Sequence, residues 1–159
     1  MPDKISWFAY DEMMNPEVMK EKGLEYYDLF CVTLSAFSVK FNKIPLDNGG
    51  LENLGLANIV PTESNLGMMD GILYEMDVKF LPILDEMHHV PDEYIRKKMR
   101  FTKHDFNFVN AYTYVAQKHR TQDGLLPSKE TMKKIKACRR NLSMLYFCRM
   151  MNTPTVGGK

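Results

Sequence analysis

Residues 28–41 read DLFCVTLSAFSVKF, a run so rich in β-branched and aromatic side chains that it can only be one or two strands. The same signal recurs along the chain. A short apolar run covers residues 5–10, and LANIVP (56–61), DGILYEMD (70–77) and DEYIRKKMRF (92–101) follow it. In FNFVNAYTYVA (106–116) the alternation sets Phe108, Tyr112 and Tyr114 on one face. Strands outnumber helices, and mixed connections rather than regular helical crossovers separate them. That pattern predicts an α+β fold and argues against a doubly wound sheet.

The helical segments are short. Asn15-Pro16 has the form of an N-cap followed by proline at the first helical position, with a stop at Gly23. After Asp77 the pattern becomes helical, with Phe80, Leu81 and Leu84 on one side and Pro82 tolerable in the first turn. IPLDNGGLENLG (44–55) and QKHRTQDGLLP (117–127) read as loops. From Ser128 onward Met132, Ile135, Cys138, Leu142 and Leu145 recur at three- and four-residue spacing, predicting an amphipathic helix or helix pair. The 159 residues fit one domain, expected over 1–151, with a polar tail at 152–159.

A net charge of +1 gives no electrostatic reason to expect a nucleic-acid or membrane partner. No segment has the length to span a bilayer, and the early Asp3 and Lys4 do not suit a signal peptide. The three cysteines form no C-x-x-C pair. Together these predict a cytoplasmic protein with reduced thiols. Asn141-Leu142-Ser143 matches a glycosylation sequon but lies in a helical pattern. The thirteen methionines, several of them paired, suit core filling better than an adaptable interaction surface.

KKIKACRR (133–140) is the densest charge cluster and reads as a solvated helix face. His88-His89 follow Asp85-Glu86. Adjacent helical residues point about 100° apart, so both imidazoles do not easily reach one ion, and no metal site is expected. There is no G-x-S-x-G, G-x-G-x-x-G or P-loop. One junction stands out. In SWFAYDEMMNPEVM (6–19) an apolar strand runs straight into Asp11-Glu12 and then a helix. Backbone N–H groups converge at such junctions and commonly hold anions, so two carboxylates there need explaining.

The order of these pieces resembles the γ-glutamylcyclotransferase-like (AIG2-like) family. FAYDEMMNPEVM stands where the family has an aromatic strand ending Y-G-S-N-M/L. GLANIVP is similar to its G-x-A-x-I-x-P strand, and MDGILYEMDVKFLPILDEMHH to its V-x-G-x-L-Y strand followed by L-x-x-L-D-x-x-E-G. Tyr94-Ile95-Arg96 matches its Y-x-R, AYTYVA its A-x-x-Y-x-A, and PSKET its P-S-x-x-Y. The likeness spans roughly residues 5–150; the ordered set is specific, although no single motif is. It implies a small twisted mixed β-barrel of five to seven strands with flanking helices, and no metal or organic cofactor. Many members release 5-oxoproline when the substrate's α-amine attacks its own γ-carbonyl. That ring closure needs positioning, a proton shuttle and an oxyanion site.

This chain departs from the family at the functional points. Gly-Ser-Asn becomes Asp11-Glu12-Met13, the shuttle glutamate becomes His88 and its glycine His89, and the helix tyrosine becomes Thr131. A glycine of the last helix falls near Cys138-Arg139. Loss of the shuttle costs roughly 10²–10⁴-fold in rate unless another base substitutes. Two carboxylates would repel the substrate's own carboxylate. The resemblance therefore implies a site at Tyr10, Asp11, Glu12, Met13 and Thr131, with His88 as the candidate acid/base. Three functions stay open: a catalytically silent binding or accessory module for a small ligand or protein; an active γ-glutamyl-amine or amide cyclotransferase using His88; or a cation- or metal-binding domain on the old pocket.

Overall fold

The computed structural model describes residues 3–63 and 66–156. Seven strands form: β1 (Lys4–Ala9), β2 (Asp28–Ser35), β3 (Phe37–Lys43), β4 (Leu56–Pro61), β5 (Met68–Asp77), β6 (Tyr94–Thr102) and β7 (Phe108–Ala116). A closed barrel runs β1-β5-β2-β6-β7, and β3-β4 make a separate two-stranded sheet. The barrel closes where β1 meets β7 in parallel at Trp7 and Tyr112, so the sheet is mixed. Four short helices flank it: α1 (Pro16–Glu21), α2 (Leu81–Met87), α3 (Lys129–Lys136) and α4 (Met144–Met151). This is the α+β barrel that the resemblance implied.

β5 organises the barrel because it pairs with β1 on one side and β2 on the other. Its two edges are covered by these neighbours, and its faces are covered as well, since every residue from Met69 to Tyr74 is buried. It starts two residues before DGILYEMD. Asp70, a charged residue in this strand, is held inside by the Thr33 hydroxyl (3.1 Å) and the Ser143 N–H (3.1 Å). Gly71 is required by packing. A Cβ there would lie 2.4 Å from the Phe8 ring and 2.7 Å from the Ala9 carbonyl oxygen. The space it leaves lets Phe8 stack on Phe101 at 4.3 Å between centroids.

The run at 28–41 becomes two strands because the chain turns at Ala36, which takes φ +67. Backbone bonds from Ala36 N–H to Gly67 O (2.9 Å) and from Thr62 N–H to Ala36 O (3.0 Å) fix that corner. The chain then leaves the barrel for the β3-β4 hairpin. Lys43, at the end of β3, is only 1% exposed. Its ammonium bonds Glu93 at 2.8 Å, and Arg120 reaches the same carboxylate oxygen at 2.8 Å. Burial lowers the Lys43 pKa, while the two cations hold that of Glu93 below the usual range.

α1 starts as its sequence predicts, with the Asn15 side chain accepting from the Glu17 N–H and Pro16 in the first turn. Gly23 ends it at φ +72. The C-terminal stripe needs one correction. Met132, Ile135, Cys138 and Leu142 are buried, but Leu145 is 65% exposed. The helix is broken after Lys136 and Ser143 caps a new one. This resets the phase, so Tyr146 and Met150 face inward instead. Similarly, Phe108 is 63% exposed although it shares a strand face with buried Tyr114, because it lies at the far end of β7. Beyond α4, Val156 is buried and its N–H bonds Pro127 O at 2.9 Å. No helix among the described residues is long and apolar enough to cross a membrane. Cys31, Cys138 and Cys148 are all free.

Candidate functional site

β1 delivers the chain to Tyr10 and Asp11, and a 3₁₀ turn over Glu12–Met14 follows. Tyr74 of β5 anchors the turn by donating its hydroxyl to Met13 O at 2.8 Å. The decisive contact is local. Asp11 Oδ1 accepts the N–H of Met13 at 2.8 Å, so the chain's own carboxylate occupies a donor of the turn. Asp11 O also accepts the Met14 N–H at 3.0 Å. Burial raises the Asp11 carboxyl to about 6, against the lowering effect of the Met13 bond. Glu12 turns outward and pairs with Lys134 at 3.2 Å. A bond from Asn15 Nδ2 to Lys134 O (3.1 Å) holds α3 against the turn, and Thr131 joins the cavity wall.

His88 arrives from the other side as the C-cap of α2. Its Nδ1 lies 2.7 Å from Leu84 O. A carbonyl only accepts, so Nδ1 carries the proton and, in the neutral ring, Nε2 is left as the acceptor. The imidazole stacks on Tyr114 at 3.9 Å and 5°, and meets Trp7 and Tyr94 edge-on. Tyr114 is fixed in turn by donating to Asp85 Oδ1 at 2.7 Å, and Asp85 pairs with Arg96. Burial in this aromatic box lowers the His88 pKa from 6.5 to about 4, despite the Leu84 bond and the nearby Asp85. The near-neutral titration that suits an acid/base imidazole is therefore not the one this site gives. His89 is exposed, with φ +51, and does not line the cavity, although its charge adds to the lowering at His88.

Asp11, Glu12, Met13, His88 and Thr131 line one cavity of about 280 Å³. Tyr10 does not. It borders a small void of about 10 Å³ beneath, shared with Asp11 and His88, and its hydroxyl donates to Tyr114 O at 2.6 Å. The structure adds wall residues that the motif reading left without a role: Lys22, Phe41, Ala57, Met87 and Tyr94. Tyr94 stood in the Y-x-R match, and its hydroxyl is used up on Ala57 O at 2.8 Å. Lys22 follows α1 and carries no sequence signal; its charge partly offsets the elevation of Asp11. Among the described residues no three His, Cys, Asp or Glu side chains come together as a metal site. Asp11, Glu12 and His88 share a wall but not a coordination centre.

A closed mixed barrel with a cavity at the end of its first strand, walled by the following turn and a short helix, defines the class as a small α+β barrel domain. The chain belongs to the family described as gamma-glutamyl cyclotransferase, AIG2-like, whose model matches residues 8–133. Its fold is that of a solved gamma-glutamyl cyclotransferase at 16% identity and TM-score 0.81, covering 96% of this chain and 89% of that one. The Homo sapiens protein loc79017, solved as uncharacterized, gives 16% identity, TM-score 0.80 and the same coverage, 96% and 89%. YkqA from Bacillus subtilis gives 16% identity and TM-score 0.80 over 96% of this chain and 56% of its own. At such identities the likeness shows the fold alone. No curated protein matches the chain in sequence.

Proposed function

We propose that this chain is a catalytically silent γ-glutamyl cyclotransferase-like protein that serves as a binding or accessory module for a small γ-glutamyl-like or cationic ligand, or for a protein partner. The bond from Met13 N–H to Asp11 Oδ1 carries this reading. A turn that cradles an anion does so with unsatisfied N–H groups, and here the carboxylate of Asp11 already sits on one. A γ-glutamyl compound would have to displace a tethered anion of the same charge. The proton shuttle is weakened as well. At neutral pH an imidazole with a pKa of about 4 is a base roughly three units from its best working range.

The retuned-enzyme reading requires His88 to move a proton despite that shift, and Asp11, raised to about 6, is the wall group closer to neutrality. The metal-binding reading gains no support from the spread of the acidic side chains. The test is direct. Purified chain incubated with γ-glutamyl-amino acids, γ-glutamyl-amines or glutathione releases no 5-oxoproline above background. Turnover that His88→Ala abolishes would overturn the silent-module reading in favour of the enzyme.

A further inference from the structure

A larger cavity, of about 440 Å³, shares only Phe41 with the first. β3, the start of β5, the loop at 123–127 and α4 enclose it. Its wall is mixed, with an apolar part made by Val39, Phe41, Met69, Leu125, Leu126 and Met150. Two methionines in that set suit an irregular guest. Lys40 and Arg149 also line it, both exposed, and neither has an ion-pair partner among the described residues. Asp123 is the only carboxylate in the lining. Tyr146 forms part of the wall, and its buried hydroxyl has no hydrogen-bond partner among the described residues.

We propose that this second cavity binds a small amphipathic organic anion, with an aliphatic or aromatic body and one carboxylate or similar group. The size falls in the range of small-molecule pockets, which pair an apolar lining with a few placed polar groups. Two cations against one carboxylate select the sign. The planar guanidinium of Arg149 suits a carboxylate or sulfonate, and Lys40 adds a flexible second charge. An ammonium would meet two like charges instead. The site is separate from the Asp11–His88 cavity and does not depend on whether that cavity is silent.

The probe is 8-anilinonaphthalene-1-sulfonate, titrated by fluorescence into the folded full-length chain near neutral pH, with octanoate and octylamine as competitors. Saturable binding is expected, displaced by octanoate and not by octylamine. The Lys40→Glu/Arg149→Glu double variant weakens it by about tenfold or more. Both side chains are exposed, so the fold survives, as circular dichroism will verify. Asp11→Asn, in the other cavity, leaves the affinity unchanged. The proposal fails if binding does not saturate, if the double variant binds within about twofold of the unmodified chain, or if octylamine competes as well as octanoate.

Discussion

Two parts of this molecule border the same cavity and differ in how much change they admit. By the motif resemblance, the chain keeps the family's strand pattern from Gly55 to Asp77 and departs from the family's residues at Asp11–Met13 and His88. The structure gives the reason. Gly71 has no room for a Cβ against Phe8, and β5 is enclosed by hydrogen-bonded neighbours on both sides. The turn, by contrast, needs only a residue that satisfies it locally, and Asp11 does so through Met13 N–H. A framework packed from both sides constrains its residues individually. A cavity rim tolerates replacement so long as its own polar groups find partners, as Asp11 does on Met13 N–H.

The comparison can be broken first at the framework's buried ion pair. Glu93→Gln leaves the Lys43 ammonium, 1% exposed, without its carboxylate. Removing one partner of a buried pair costs about 3–5 kcal/mol, to be read as a shifted midpoint in urea unfolding. A cost under about 1 kcal/mol, the range of exposed pairs, would mean that the framework is as tolerant as the rim. Next in size is Gly71→Ala, expected to lose about 2–3 kcal/mol through overpacking against Phe8. A neutral result would show that Phe8 can yield, and the contrast would lose its steric basis.

The rim makes a smaller, pH-dependent contribution in which two groups oppose each other. Asp11 is raised from 3.8 to about 6, so the folded state holds its proton where the unfolded state has lost it. Its contribution to stability is complete below about 3.8 and is lost as pH rises through about 6. His88 is lowered from 6.5 to about 4, so the unfolded state binds the proton first. Its contribution is complete above 6.5 and is lost as pH falls through about 4. Between these limits the two slopes offset each other. Asp11→Asn should therefore give a Tm that falls more steeply on acidification than that of the unmodified chain. His88→Gln should give one that falls as pH rises from about 4 to 6. Slopes of the same sign in the two variants would contradict the opposed burial effects.

Much of the fold was legible because it is written in local patterns. β-branched and aromatic runs marked the strands, and Asn15-Pro16 with Gly23 bounded α1 within a residue or so. What could not be read depended on partners distant in sequence. Asp70 was legible as part of a strand but its burial was not, because Thr33 and Ser143, which hold it inside, are 37 and 73 positions away. Leu145 fitted the helical period but not the break that Ser143 introduces. Lys43 and Glu93, 50 positions apart, carried no periodic signal at all.

At the site, the ordered motifs picked out Asp11, Glu12, Met13, His88 and Thr131, which the fold does bring to one cavity. The ionisation of His88 was not legible, because a typical imidazole titrates near neutrality and it is chiefly burial against Trp7, Tyr94 and Tyr114 that moves it. Nor was the direction of the Asp11 side chain. A carboxylate at a strand–helix junction can face a ligand or cap its own turn, and the choice rests on backbone geometry at one residue.

The central proposal is that those five cavity positions silence the family's chemistry on a framework that remains competent. The measurement that tests it most directly is 5-oxoproline release by a variant carrying Asp11→Gly, Glu12→Ser, Met13→Asn, His88→Glu and Thr131→Tyr, assayed beside the unmodified chain and His88→Glu alone. The account predicts release by the five-position variant only, because a shuttle without an open turn still faces the Asp11 carboxylate on Met13 N–H. A correctly folded five-position variant as silent as the unmodified chain would contradict it.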